Sequence, residues 1–303
     1  MFLLPSEENS FPPLYRYKKN LDSLLGSDFS DKSFKEINNF YYDNALILPS
    51  AKEKLHPEAF ENFYFYRVRM NIDFKSTDTN LVNTYSYPSP SLCRKNGRSN
   101  VAGTSVFYCS DSANSAIHEM KPKIEDVGFL SVWKIKVNRP IKLACLLPVS
   151  LKRHNPWWEF TQNVHNDQLK LWNKNYPKLN DHYMALTNFI GNAYRLKDPR
   201  YSLSSFISKK LMFEDIYNDF ILYPSFSTEE TYANMAFHPN FVDNHMVLHK
   251  VFQFKIMKMI EGTAAFSIGL VGELENGKMS WRRKNVYDRD VLDSFQRFTG
   301  DRN

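Results

Sequence analysis

Two arginines stand two residues apart in the run Phe63-Tyr64-Phe65-Tyr66-Arg67-Val68-Arg69-Met70. A guanidinium stays charged and offers a planar fork that pairs a phosphate or carboxylate bidentately. On a strand full of aromatics it is costly to bury unpaired, so something anionic should meet Arg67, either a ligand or an internal carboxylate. Arg69 shares the face of Arg67 on a regular strand and is its rival for that role. A carboxylate of interest lies further on, in Ala113-Asn114-Ser115-Ala116-Ile117-His118-Glu119-Met120. Ala113, Ala116, Ile117 and Met120 make one face of a short helix that packs inward, and Glu119 lies close to that face. The plain alternative is a solvated glutamate beside His118. Tyr108 closes a strand-like run just before this helix, where a core tyrosine would look the same. Ser225 follows the proline that ends the apolar run Phe220-Ile221-Leu222-Tyr223.

Other chemistries find less support. His245 and His249 have the i, i+4 spacing of a helical zinc pair, but Met246, Val247 and Leu248 stand between them, with no glutamate to complete HExxH. No metal site is expected. No Walker loop and no GxGxxG occurs. The three cysteines, Cys93, Cys109 and Cys145, are odd in number and widely spaced, which points to a reducing compartment rather than a disulfide framework. The apolar start of MFLLPSEENS stops at Pro5 and has no basic region before it, so it reads as neither a signal peptide nor an anchor. No run approaches the roughly 20 apolar residues of a membrane helix. The expectation is a cytoplasmic protein without membrane contact. Thirty-nine basic against 33 acidic residues give a net charge of +6, spread along the chain. The densest basic cluster, Trp281-Arg282-Arg283-Lys284, reads as a solvated hairpin end.

The elements that must position these residues follow from pattern. With 43% hydrophobic and 15% aromatic residues the chain can bury a core. Residues 1–60 read as a mostly helical accessory region, with apolar positions at Leu21, Leu24, Leu25, Phe34, Ile37, Phe40 and Tyr41. A strand is expected from Phe63, then a long loop over 71–104. Ser105–Cys109 is the next strand candidate, and the Ser110-Asp111 pair is suited to capping a helix from about Ser112 to Met120. Strands over Val127–Val137 and Ile141–Leu147 are separated by the turn Asn138-Arg139-Pro140. Residues 155–219 read as helical, interrupted at Pro177 and Pro199. The stretch Val247–Arg283 alternates, and its Asn276-Gly277 favours a two-residue hairpin turn. Strands flanking a helical middle give the class α+β.

Three segments come in a distinctive order: Tyr66-Arg67-Val68; then Asn96-Gly97-Arg98-Ser99-Asn100, Gly103-Thr104, the strand through Tyr108 and the helix bearing Glu119; then Tyr223-Pro224-Ser225 followed by Asn234-Met235-Ala236-Phe237. This order resembles the RES domain family, named for its Arg, Glu and Ser, over about Phe63 to Phe237 and arguably to Arg283. The resemblance implies an ADP-ribosyltransferase-like split β-sheet core with flanking helices, here over 61–303 behind the N-terminal helical extension.

It further implies a toxin of a toxin–antitoxin pair that consumes NAD as substrate, with no resident cofactor. Glu119, Arg67, Tyr108 and Ser225 take the catalytic positions, while Arg98, Asn100, Arg69 and Asn234 take nucleotide-binding ones. In that scheme nicotinamide leaves as a neutral ring, and Glu119 stabilises the oxocarbenium-like ribosyl cation left behind. Arg67 and Arg98 pair the diphosphate or orient the ribose. Tyr108 stacks on nicotinamide, and the Ser225 hydroxyl meets the ribose or Glu119. The acceptor of ADP-ribose is water or phosphate, giving a glycohydrolase or phosphorylase, or else a protein, giving an ADP-ribosyltransferase. The family also implies a neutralising antitoxin, unless residues 1–60 fold over the pocket themselves. A nucleic-acid-binding module is the competing class, yet here the aromatics sit in apolar runs rather than along a basic stripe, so direct nucleic-acid contact is not expected. The oligomeric state is not legible.

Overall fold

Apolar spacing at i, i+4 and i+7 draws the first helix together. In α1 (Leu14–Gly26) Tyr17, Leu21 and Leu24 are the buried positions, and in α2 (Phe34–Ala45) they are Ile37, Tyr41 and Ala45. A capping box opens α2: Ser33 Oγ accepts from Glu36 N, and the Glu36 carboxylate accepts from Ser33 N. The computed structural model describes residues 10–48, 52–73, 75–196, 201–214, 217–260 and 263–284. The N-terminal MFLLPSEENS reading, apart from Ser10, and the break at Pro199 lie outside them.

The elements that follow are β1 (Lys52–Leu55), β2 (Phe65–Met70), β3 (Phe107–Ser110), α3 (Ala113–Glu119), β4 (Val127–Ile135) and β5 (Ile141–Cys145). Then come α4 (Trp158–Asn175), α5 (Asn180–Arg195), α6 (Ser202–Lys209), β6 (Phe220–Pro224), β7 (Ala233–Phe237) and α7 (Pro239–His245). The chain continues through β8 (Met246–Ile260), β9 (Thr263–Glu275) and β10 (Lys278–Arg283). The class is mixed α+β, with ten strands among the described residues, mostly antiparallel. Among its described residues the expected long loop carries two 3-10 turns, Val82–Tyr85 and Pro90–Leu92, and an isolated bridge between Gly97 and Asn100. The turn between β9 and β10 is built as its sequence demands, with Asn276 and Gly277 both at positive φ (51° and 78°). No helix among the described residues is long and apolar enough to cross a membrane.

The chain divides into two interleaved compact units, not into 1–60 and 61–303. The first comprises Met1–Lys54, Pro88–Val106 and Lys142–Tyr223; the second comprises Leu55–Tyr87, Phe107–Ile141 and Pro224–Asn303. The N-terminal helices thus share a unit with α4, α5 and α6 instead of standing apart as an extension. Their apolar faces explain this, because Tyr17, Tyr41, Phe189 and Phe206 are all buried and Tyr41 meets both phenylalanine rings. Tyr17 Oη also donates to Ala45 O at 2.7 Å, tying α1 to the end of α2. Strands β1, β5 and β6 belong here, with β5 and β6 parallel.

The second unit holds strands in the order β7-β3-β2-β4-β8-β9-β10, each antiparallel to its neighbour. Because successive side chains alternate, the two faces of β2 are different surfaces. Tyr66 and Val68 join Ala113, Ala116 and Ile117 of α3, with Leu130, Val132 and Phe252, in one apolar cluster. Phe65, Arg67 and Arg69 take the other face, where Phe65 meets Phe237 and Phe107 meets Trp133 edge-on. The α3 helix therefore lies on the Tyr66/Val68 face.

Candidate active site around Glu119

Two local devices place Glu119. Ser112 caps α3, its side chain accepting from Ser115 N at 3.3 Å, so the helix starts where its first apolar residues meet the sheet. Helical spacing then sets Ser115 and Glu119 on one side, four residues apart. Opposite them, β3 and β7 are stapled at their ends. Ser110 Oγ donates to Ala233 O at 2.8 Å, and both carboxylate oxygens of Asp111 accept from Ala233 N at 3.2 and 3.3 Å. That staple sets the register Ser110↔Asn234 and puts the Asn234 side chain on the same face as Ser110.

The loop before β7 is held just as tightly. Ser225 N donates to Tyr232 O at 2.9 Å and Glu230 N to Ser225 O at 2.8 Å, while Glu229 and Glu230 take positive φ of 50° and 66°. Two successive non-glycine residues in that region are strained, and such strain persists only where the surroundings impose it.

The result is a carboxylate with one oxygen locked. Glu119 Oε1 accepts from Asn234 Nδ2 at 2.7 Å, Ser225 Oγ at 2.8 Å and Ser227 Oγ at 2.9 Å. Behind them the buried Ser115 Oγ donates to Ser225 Oγ at 2.9 Å, and Ser227 Oγ lies 3.0 Å from Ser225 Oγ. The Glu119 side chain is nonetheless exposed, and among the described residues no donor meets its Oε2. A solvated surface glutamate would not gather three side-chain donors on one oxygen. Chemically, this is a fixed negative charge with one face open to a ligand.

Burial also shifts two titratable groups flanking these strands, Cys109 on the opposite face of β3 from Ser110 and Tyr232 just before β7. Burial holds the Cys109 thiol well above its ordinary value, Arg67 pulling it down and Asp111 pushing it up, so the thiol stays protonated. Burial likewise raises the Tyr232 phenol, with Asp111 adding to the effect and a bond to Ser112 opposing it. Searches against family models, curated proteins and solved structures return no match for this chain.

Of the residues singled out from sequence, Glu119, Ser225 and Asn234 come together. Tyr108 is half-buried on β3, on the face of Asn234 and paired with Ala236. Arg67 and Arg69 are not brought to Glu119. Arg67 Nε donates to Ser86 O at 3.1 Å, its Nη1 donates to Tyr108 O at 2.9 Å, and its guanidinium stands over the Phe107 ring at 5.4 Å. Arg69 Nη1 donates to Thr84 O. Both guanidiniums thus donate to main-chain carbonyls, Ser86 and Thr84 of the loop over β2 and Tyr108 of β3, where a carboxylate or a ligand was expected. Arg98 and Asn100 belong to the first unit. Arg98 Nη1 donates to Tyr194 O and its guanidinium stands over Tyr201 at 5.2 Å, while Asn100 Nδ2 bonds Val101 O and Thr104 O, each at 3.2 Å. His245 ends α7 and His249 lies on β8, so their helical spacing does not exist, and no group of metal-ligating side chains forms among the described residues.

Sequence reasoning missed Ser115 and Ser227. Ser115 had a usable signal, the i, i+4 offset from Glu119 on the inward face of its helix. Ser227 had none, since only the folded loop carries it to the carboxylate.

Proposed function

We propose that this chain cleaves the nicotinamide–ribose bond of NAD, with Glu119 as the charge-stabilising carboxylate of an ADP-ribosyltransferase-like domain. The observation that carries the reading is the convergence of Asn234, Ser225 and Ser227 on Glu119 Oε1 while the side chain remains exposed. Nicotinamide needs little help to depart, and the barrier lies in the ribosyl cation it leaves. An anion whose orientation is fixed in advance stabilises that cation without reorganising at the moment of reaction. Donors on Oε1 prevent rotation of the carboxylate and leave Oε2 for the ribose. The resemblance to the RES family supports the same assignment, since its Glu and Ser are the pair found bonded here. On this reading NAD is the substrate, water or phosphate the acceptor, the cytoplasm the place of action, and an antitoxin protein the natural restraint.

The test is direct. Purified full-length protein incubated with NAD should release free nicotinamide, read by chromatography, and Glu119→Gln should lower the release by on the order of 10²-fold or more. Nicotinamide no higher than in buffer, from a folded preparation supplied with phosphate, overturns the proposal.

A further inference from the structure

Ser115 is wholly buried, as is Ser225. A serine hydroxyl carries one hydrogen and two lone pairs, whereas an ionised carboxylate only accepts. The single hydrogen of Ser225 must therefore point at Glu119 Oε1, 2.8 Å away. Its lone pairs then face Ser115 Oγ at 2.9 Å and Ser227 Oγ at 3.0 Å. The Ser115 main-chain N–H is already committed to Ser112 Oγ, and its hydroxyl hydrogen goes to Ser225. The direction of every proton in the row is thus determined by the first and last members.

We propose that Ser115 is a positioning residue for the Glu119 site: its buried hydroxyl donates to Ser225 and commits the Ser225 proton to the carboxylate. Hydrogen bonds in series polarise one another, so Ser225 is a stronger donor with Ser115 behind it than without. Helix geometry makes the arrangement self-contained, because both ends of the row lie on α3, four residues apart, and only Ser225 comes from elsewhere in the chain. Ser227 cannot substitute for Ser115. Its hydroxyl is exposed and also donates to Oε1, 2.9 Å away.

The experiment uses full-length protein with glutamate labelled in its side-chain carboxyl carbon, the Glu119 resonance being identified by its disappearance in Glu119→Gln. Ser115→Ala retains the main-chain N–H that Ser112 caps and should fold. Ser115→Cys, a weaker donor of similar size, is the second variant. At neutral pH Ser115→Ala should displace the Glu119 resonance in the same direction as Ser225→Ala and by less, with Ser115→Cys between wild type and Ser115→Ala. Adding Ser115→Ala to Ser225→Ala should change nothing further. An unmoved resonance in folded Ser115→Ala, or an additive shift in the double variant, overturns the proposal.

A kinetic arm rests on the NAD-cleaving reading. Ser115→Ala should lower kcat by about three- to ten-fold with KM within about two-fold, and should have no effect in a Glu119→Gln background. A displaced resonance without any nicotinamide release from wild type would leave the relay standing and remove the NAD reading, so the two failures are distinguishable.

Discussion

The two faces of β2 handle charge in opposite ways. On one, Glu119 is held by side chains alone, at the mouth of a tight loop, with one oxygen turned outward. On the other, Arg67 and Arg69 donate to the carbonyls of Thr84, Ser86 and Tyr108, fastening the loop over the sheet. Both arrangements satisfy a charge that would be costly to leave unpaired. They differ in what remains available. A charge consumed by the main chain builds the fold, while one oriented by side chains with a free valence outward can act on a ligand.

Four substitutions sharpen or break that contrast, and the largest effect belongs to Glu119. Glu119→Gln should lower nicotinamide release by on the order of 10²-fold or more, the usual consequence of losing a preorganised stabilising group, with an unchanged thermal midpoint. Near-normal turnover in the folded variant would take Glu119 out of the reaction and dissolve the contrast. Arg67→Lys comes next and reads out in the opposite quantity. A point charge cannot reach both carbonyls as the fork does, so stability should fall by about 1.5–3 kcal/mol in denaturant unfolding. A raised KM for NAD at undiminished stability would instead put Arg67 at the nucleotide, as the family resemblance implies.

Asn234→Ala removes the shortest of the three donors to Oε1 and should cut kcat about ten-fold, the equivalent of one hydrogen bond to a charged group. Loss of stability without loss of turnover would show that Asn234 serves β7 and not the carboxylate. The smallest effect is expected from Ser227→Ala. Its hydroxyl is exposed and water can replace it, so a drop of about three-fold in kcat and no measurable change in unfolding is the outcome to check. A loss as large as that of Asn234→Ala would make the loop hydroxyl an equal partner in the site.

Much of this architecture was legible before folding is considered. The aromatic strand, the helix bearing Glu119 and the Asn276-Gly277 hairpin each announce themselves through local chemistry, although the cap of that helix is Ser112 and the Ser110-Asp111 pair expected to cap it bonds Ala233 instead. The strand β7 was harder. Ala233–Phe237 is short, buried at every position and interrupted by an asparagine, so it shows no alternation by which periodicity could recognise it. The helix α7 was hidden for a similar reason, being a single short element that begins at a proline. The i, i+4 spacing of His245 and His249, set aside for want of a glutamate between them, carries no helical meaning, because a helix ends between the two.

The sequence by itself determined the class and the helix that carries Glu119, because these follow from propensity, capping and pattern within a few residues; the candidacy of Ser225 and Asn234 came from the resemblance to the RES family. Only the tertiary structure decided which charges meet. Ser225 lies 106 residues from Glu119, and Asn234 lies 115 residues away. Nothing local distinguishes either from other serines and asparagines. The same holds for the arginines, whose role depends on what the loop over β2 offers them. Strand pairing and loop closure set those distances, and both depend on which apolar faces are buried together across the whole unit.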